Sequence, residues 1–130
     1  MATLVDPDFR ARLGALNDKY AAAVPGLMAS IELVLQQCEA AGPDGPATPQ
    51  LTALHKSLHT VAGSAATFGF PVLGQQCRLL EQQLRLLTAQ PDGPDAVRSA
   101  WPALSRQTRQ LLAWAAVDAK AATYVPAPLP

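Results

Sequence analysis

The sequence has little of what nucleic-acid-binding proteins depend on. Lys and Arg total 10, Asp and Glu total 10, and only 5% of the 130 residues are aromatic. A chain with zero formal net charge and few aromatic side chains has neither a basic surface for phosphates nor stacking platforms for bases. Nucleic acid is therefore not an expected partner.

Cysteines and membrane-like segments are also scarce. The two cysteines, Cys38 and Cys77, stand far apart among apolar residues, which favours two buried thiols over a disulfide or a metal site. Residues 1–6 lack a basic start followed by an apolar run, so we expect no signal peptide. No run of about 18 uncharged apolar residues is present, so we expect no membrane span. The sequence predicts a soluble cytoplasmic protein.

Helix-forming residues dominate the composition. The chain has 25 Ala and 19 Leu but only 8 Val and 1 Ile. Ala and Leu have high helix propensity, whereas β-branched residues favour strands. A chain of 130 residues has room for a single domain. The composition therefore predicts one all-α domain.

Proline and glycine divide the chain into helical segments. Dense clusters at 42–46, 69–71 and 91–95 separate stretches whose apolar residues recur every three or four positions. The expected helices are a short one from Pro7 to about Tyr20, one restarting at Pro25, one from about Thr48 to Phe68, one from Pro71 past Leu84, and one from Asp95 or Ser99.

The very short connection at Gly69 and Pro71 forces the third and fourth expected helices into an antiparallel hairpin. Pro102 either kinks the last helix or marks its first turn. The whole pattern predicts an up-down antiparallel four-helix bundle over residues 1–121, with a short additional N-terminal helix. Residues 122–130 are rich in proline and are expected to form a flexible tail.

The common catalytic motifs are missing from the sequence. It contains no glycine-rich phosphate loop, no nucleophile elbow and no Asp/Glu cluster at metal spacing. Both histidines, His55 and His59, lie in the third expected helix. Their i, i+4 spacing could in principle chelate zinc, but no third ligand is evident, so we expect no metal site.

A helical wheel at about 100° per residue separates the two histidines. His55 lands at the edge of the apolar arc, and His59 lies about 120° from its centre, where side chains reach water. The arc is formed by Leu51, Leu54, Leu58, Val61, Ala65 and Phe68.

The helix face that carries His59 has unusually small side chains. Gly63 and Ala66 follow one and two turns after it, and a glycine inside a helix costs about 0.8–1.0 kcal/mol relative to alanine. Such a glycine beside an exposed imidazole indicates that another surface approaches the backbone closely. A neutral imidazole is a competent nucleophile, and Lys56, one turn before His59, offers a positive charge. The pattern indicates a histidine presented to a docking partner.

These residues resemble the signature of histidine-containing phosphotransfer (HPt) domains. In that family the phosphorylated histidine is followed four residues later by Gly and ten residues later by another Gly. The resemblance is carried by His59-Thr60-Val61-Ala62-Gly63-Ser64-Ala65-Ala66-Thr67-Phe68-Gly69, then Leu73, Cys77 and Leu80-Glu81. The predicted bundle is similar to the family fold over most of the chain.

The resemblance implies a role for each matching residue. His59 is the expected phosphoacceptor through its Nε2, and Glu81 occupies the place of a polar residue that holds the imidazole. The flat docking surface is expected to consist of Gly63, Ala62 and Ala66. Family members usually carry Lys where this chain has Ala62. Either Lys56 supplies the charge instead, or transfer is slow or the choice of partner is altered.

The resemblance also implies a function. The expected protein is a monomeric phosphoryl carrier, not an ATP-dependent kinase, that relays a phosphoryl group between receiver-domain aspartates of a two-component phosphorelay. No cofactor of its own is expected, because the receiver brings Mg²⁺. Two alternatives stay open: a degenerate module that binds a receiver without accepting phosphate, and a dimerising helical scaffold. Lys56, Arg78 and Arg85 fit ordinary solvated surface charges, although any of them that lies near His59 could help to position a partner.

Overall fold

Four α-helices form a bundle in the computed structural model, which describes residues 7–89 and 93–129. They are α1 (Pro7–Glu39), α2 (Thr48–Ala65), α3 (Pro71–Thr88) and α4 (Pro94–Asp118). Helix α2 packs against α1 and α3, and α4 packs against α3 and α1, so the helices enclose a common core. No strand occurs in the described ranges. The predicted all-α four-helix bundle is confirmed.

The prediction of a separate short helix at the N-terminus is wrong. Helix α1 continues through Pro25, which lies exposed in its interior. Proline inside a helix removes one hydrogen bond and costs about 3 kcal/mol. Val24 directly before it and Ile31 after it are both buried in the core. Core packing on both sides of the proline therefore holds the segment as one helix.

Helix α1 is also long and apolar enough, by length and composition alone, to cross a membrane. The helix nevertheless contributes Val24, Ile31, Leu35 and Cys38 to the bundle core. The core helix of a bundle can have the same length and composition, so these features are weak evidence for a membrane segment.

The α2–α3 hairpin forms as predicted, with small shifts at the ends. Thr48 is the first residue of α2, and the backbone N–H of the preceding Ala47 donates to Gln50 Oε1 at 2.9 Å. Helix α2 ends at Ala65, and a turn over 66–69 follows in place of the expected helical residues. Gly69 has a φ of 97°, which favours glycine. Gly69 therefore closes this connection.

The packing of α2 on α3 fixes an antiparallel register. Gly74 of α3 lies so close to α2 that a Cβ there would stand 3.0 Å from the backbone N of Ala66. One turn further along, Arg78 contacts the carbonyl oxygen of Ala62. The next level brings Glu81 against His59. Gly74 thus permits the close approach that positions the two site residues.

The core follows the predicted seam of α3. Leu73, Cys77, Leu80, Leu84 and Leu87 are all buried. Both cysteines are buried free thiols, as predicted. Burial raises the pKa of Cys38 to about 11 and that of Cys77 to about 12, because a thiolate is poorly solvated in an apolar core. Both thiols therefore act as small apolar side chains.

The C-terminal elements differ from expectation in two respects. Helix α4 begins at Pro94, so Pro102 lies inside the helix and does not mark its first turn. The following tail is non-helical as predicted, but its beginning is attached to α4. Trp114 Nε1 donates to the Thr123 carbonyl at 3.2 Å, and the Tyr124 ring packs edge-on against Trp114 at 5.2 Å. Flexibility of the remaining tail stays a prediction.

Candidate functional site

His59 stands on the solvent side of α2, as the helical wheel predicts. Its side chain is 63% exposed, and its Nδ1 lies 2.7 Å from Glu81 Oε1 on α3. An ionised carboxylate can only accept a hydrogen bond, so Nδ1 carries the proton. The lone pair is then on Nε2, on the other side of the ring. The structure thus presents an oriented imidazole with Nε2 as its basic nitrogen.

Glu81 is the buried charge of the site. Its side chain is only 6% exposed, and burying a carboxylate is costly unless hydrogen-bond donors surround it. His59 Nδ1 donates at 2.7 Å, and Arg85 Nη2 donates at 3.4 Å from one turn further along α3. Glu81 is therefore held by donors from both helices, which makes it a rigid support for the imidazole.

His55 lies next to this pair at the boundary position expected for it. Its side chain is 25% exposed, and its ring is nearly parallel to that of His59, with centroids 6.0 Å apart. Its Nε2 is buried without a hydrogen-bond partner in the part of the chain that the structure describes. Glu81 Oε1 lies 3.7 Å from it, beyond hydrogen-bond distance. His55 thus lies beside Glu81 without bonding to it, and it is less exposed to solvent than His59.

Lys56 lies one turn before His59 and is exposed. Its backbone carbonyl accepts a hydrogen bond from Thr60 Oγ1 at 3.0 Å. Within the described residues, no contact fixes its ammonium group beside the imidazole. Its contribution to phosphoryl transfer stays a prediction.

The expected docking residues divide into two groups. Gly63 and Ala66 are exposed, and a Cβ added to Gly63 would meet no atom within 4 Å. A partner can therefore reach the backbone one turn after His59. Ala62, in contrast, is only 2% exposed, because α3 covers it at the level of Arg78. The prediction of Ala62 as a docking residue is wrong.

Two arginines of α3, which the sequence indicated as ordinary surface charges, lie near the contact between His59 and Glu81. Arg78 Nη2 donates to the Ala62 carbonyl at 3.5 Å, and Arg85 binds Glu81. Both arginines are within one turn of Glu81 on α3, a spacing that could have indicated their proximity once Glu81 was placed beside His59. Arg78 and Arg85 therefore belong to the surroundings of the imidazole.

A contact from α1 supports the same flank. Tyr20 Oη and Ser64 Oγ are 2.8 Å apart, and the Tyr20 ring packs at 5.4 Å from that of Phe68. Burial raises the pKa of Tyr20, although the hydrogen bond with Ser64 opposes the shift. No local signal identifies this pair, because it joins residues from separate helices. The contact anchors the end of α2 that follows His59.

Comparison with known proteins agrees with this geometry. The family model of the Hpt domain matches residues 20–114, which is most of the chain. No curated protein and no solved structure gives a significant match. Hpt domains have a phosphotransfer role in two-component phosphorelays and typically interact with receiver domains. An oriented, exposed histidine on a four-helix bundle and the match over residues 20–114 lead to one conclusion: the chain belongs to the Hpt domain family.

Proposed function

We propose that this protein carries a phosphoryl group on Nε2 of His59. The group comes from an aspartyl phosphate of one receiver domain and passes to an aspartate of a second receiver. The observation that carries the proposal is the 2.7 Å hydrogen bond between His59 Nδ1 and buried Glu81, made by an imidazole whose side chain is 63% exposed. That bond leaves Nε2 as the nucleophilic nitrogen.

The transfer step needs little covalent help from the protein. The Nε2 lone pair forms a bond to phosphorus while the bond from phosphorus to the aspartate oxygen breaks. The aspartate leaves as a carboxylate with the electron pair of that bond, and the proton on Nδ1 stays in its hydrogen bond to Glu81. Such reactions depend on positioning and charge stabilisation. We expect the receiver to supply the Mg²⁺ that neutralises the phosphoryl oxygens.

Glu81 contributes by its charge as well as by its position. As the bond from Nε2 to phosphorus forms, positive charge develops on the imidazole ring. A buried carboxylate 2.7 Å from Nδ1 stabilises that charge, because the effective dielectric constant is lower there than in water. Glu81 therefore fixes the ring and favours formation of phosphohistidine.

The partner surface is proposed to centre on Gly63 and Ala66. Both are exposed on the side of α2 that carries His59, and Gly63 faces open space. A receiver can thereby bring its aspartate to Nε2 without displacing side chains. Lys56 is proposed as a further cation at the opposite end of this surface. We also propose that the protein is a cytoplasmic monomer, which cell fractionation and sedimentation would test.

Label transfer tests the function directly. The wild-type protein is incubated with a receiver that carries a radioactive aspartyl phosphate, and the expected product is an acid-labile, base-stable label on the protein. The His59→Gln variant should remain unlabelled, whereas His55→Gln should be labelled. An unlabelled wild-type protein that still binds the receiver would instead identify a degenerate docking module. This chain has the buried, uncharged Ala62 where the family usually has lysine. The experiment is therefore designed to distinguish a docking module from a phosphoryl carrier.

A further inference from the structure

The carboxylate of Glu81 stabilises positive charge on the imidazole ring from the Nδ1 side, but it offers no positive partner to the oxygens of a phosphoryl group on Nε2. A phosphoryl group brings negatively charged oxygens to His59. A cation facing those oxygens would stabilise the group.

Three basic side chains lie within one turn of the pair formed by His59 and Glu81. Arg85 donates to Glu81 Oε1 at 3.4 Å, so its charge is largely matched by that carboxylate. Lys56 has no contact that fixes its ammonium group among the described residues. Arg78 has its guanidinium against the neutral backbone carbonyl of Ala62, and no carboxylate pairs with it among residues 7–89 and 93–129.

The α2–α3 register places Arg78 one level of the hairpin away from the contact between His59 and Glu81. Ala62 lies one turn after His59 on α2, and Arg78 lies one turn before Glu81 on α3, so the two contacts occur at successive levels of the hairpin. Arg78 is exposed, and the neighbouring Gly63 leaves open space above the backbone. A guanidinium held by one donor at 3.5 Å keeps its other N–H groups for an incoming anion.

We propose that Arg78 binds the oxygens of the phosphoryl group carried on His59 Nε2. The inference rests on the proposed function and adds the residue that compensates for the uncharged Ala62. Arg78 forms and breaks no covalent bond. Its planar fork of donors holds two phosphoryl oxygens while the bond to Nε2 forms, and it returns to the Ala62 carbonyl when the group leaves.

Phosphoramidate is a suitable probe because it phosphorylates histidine without a receiver. Nε2 bonds to phosphorus, the bond from phosphorus to nitrogen in phosphoramidate breaks, and ammonia leaves. The rate of labelling is measured for the wild type, Arg78→Ala, Arg78→Gln and Arg78→Lys. The exposed Arg106 of α4 provides a charge-matched control in Arg106→Ala.

We expect Arg78→Ala and Arg78→Gln to be labelled about tenfold more slowly than the wild type, since a hydrogen bond to a charged group is lost. The Gln variant keeps an uncharged donor on a shorter side chain, so slow labelling of Arg78→Gln together with faster labelling of Arg78→Lys separates the charge from a structural role. Arg78→Lys should be intermediate, because it keeps the charge without the planar fork. Arg106→Ala should match the wild type, and Lys56→Ala should be slowed less than Arg78→Ala.

The ³¹P NMR signal of the phosphorylated protein provides a second readout that a purely structural role would not move. Its chemical shift should change in Arg78→Gln and stay constant in Arg106→Ala. Equal rates and equal shifts in the wild type and the Arg78 variants would overturn the inference while leaving the phosphohistidine in place. A wild type that takes up no label from either phosphoramidate or a receiver would refute the proposed function, and the inference with it.

Discussion

Removing the carboxylate behind His59 is the perturbation that most directly probes how the site works. Glu81→Ala deletes the acceptor 2.7 Å from His59 Nδ1, and Glu81→Gln keeps an acceptor of the same size without its charge. A hydrogen bond to a charged group contributes about 1.5–3 kcal/mol. We take about 1.5 kcal/mol here, at the lower end, because the His59 side chain is 63% exposed and solvent screens the pair.

That value sets the expected rates. Since about 1.4 kcal/mol corresponds to a tenfold change in rate, Glu81→Ala should accept the phosphoryl group about tenfold more slowly than the wild type. Glu81→Gln should lose about half of the free energy and be slowed roughly threefold, because a neutral hydrogen bond is about half as strong as a charge-assisted one. The neighbouring Gln82 is exposed, so Gln82→Ala is a matched control on the same helix.

The assay combines label-transfer kinetics with ¹⁵N NMR of the histidine rings. In the wild type the proton of His59 should be on Nδ1; in Glu81→Ala both ring tautomers should be populated. The reasoning would be refuted if Glu81→Ala transferred phosphate at the wild-type rate, or if its His59 kept the proton on Nδ1. Thermal unfolding of each variant shows whether a slower rate reflects a loss of folded protein.

Three further predictions concern the fold that supports the site. Gly74→Val should lower the free energy of unfolding by about 1–3 kcal/mol in denaturant titrations, because even a Cβ would stand 3.0 Å from the backbone N of Ala66; wild-type stability would refute the close packing. Hydrogen bonds from Arg109 hold the pKa of Glu39 below its ordinary value, so this pair should stabilise the fold at neutral pH and lose that contribution as the pH falls through the lowered pKa. Arg109→Ala should cost about 1 kcal/mol at pH 7 and less in acid, and an equal cost at both pH values would contradict the assignment. Burial raises the pKa of Cys77 to about 12, so a thiol reagent should modify it only as fast as the bundle opens; rapid modification of the native protein would contradict its burial.

The sequence predicted the parts of the structure that depend on local spacing. Apolar periodicity placed His59 on the exposed side of α2, and the short link at Gly69 and Pro71 predicted the hairpin. Pro25 was misinterpreted because a local rule treats proline as a helix break, whereas core packing at Val24 and Ile31 holds α1 together. Tertiary packing outweighs the missing hydrogen bond there.

The parts of the site that the sequence did not predict depend on contacts between helices. Ala62 was expected at the docking surface because it is small, but α3 covers it. The contacts of Arg78 with Ala62 and of Tyr20 with Ser64 depend on register and helix orientation, which single-helix periodicity does not determine. Glu81 was placed correctly by its family resemblance, and the structure supplies the physical reason in its bond to His59.

The central claim concerns one ring nitrogen, and NMR can observe it. Protein with ¹⁵N-labelled histidine is phosphorylated by a receiver carrying an aspartyl phosphate, and the coupling between ³¹P and each ring nitrogen is recorded. The account predicts coupling to Nε2 of His59, with a proton retained on its Nδ1. Phosphorus on His59 Nδ1 or on His55, or no phosphohistidine at all, would contradict it.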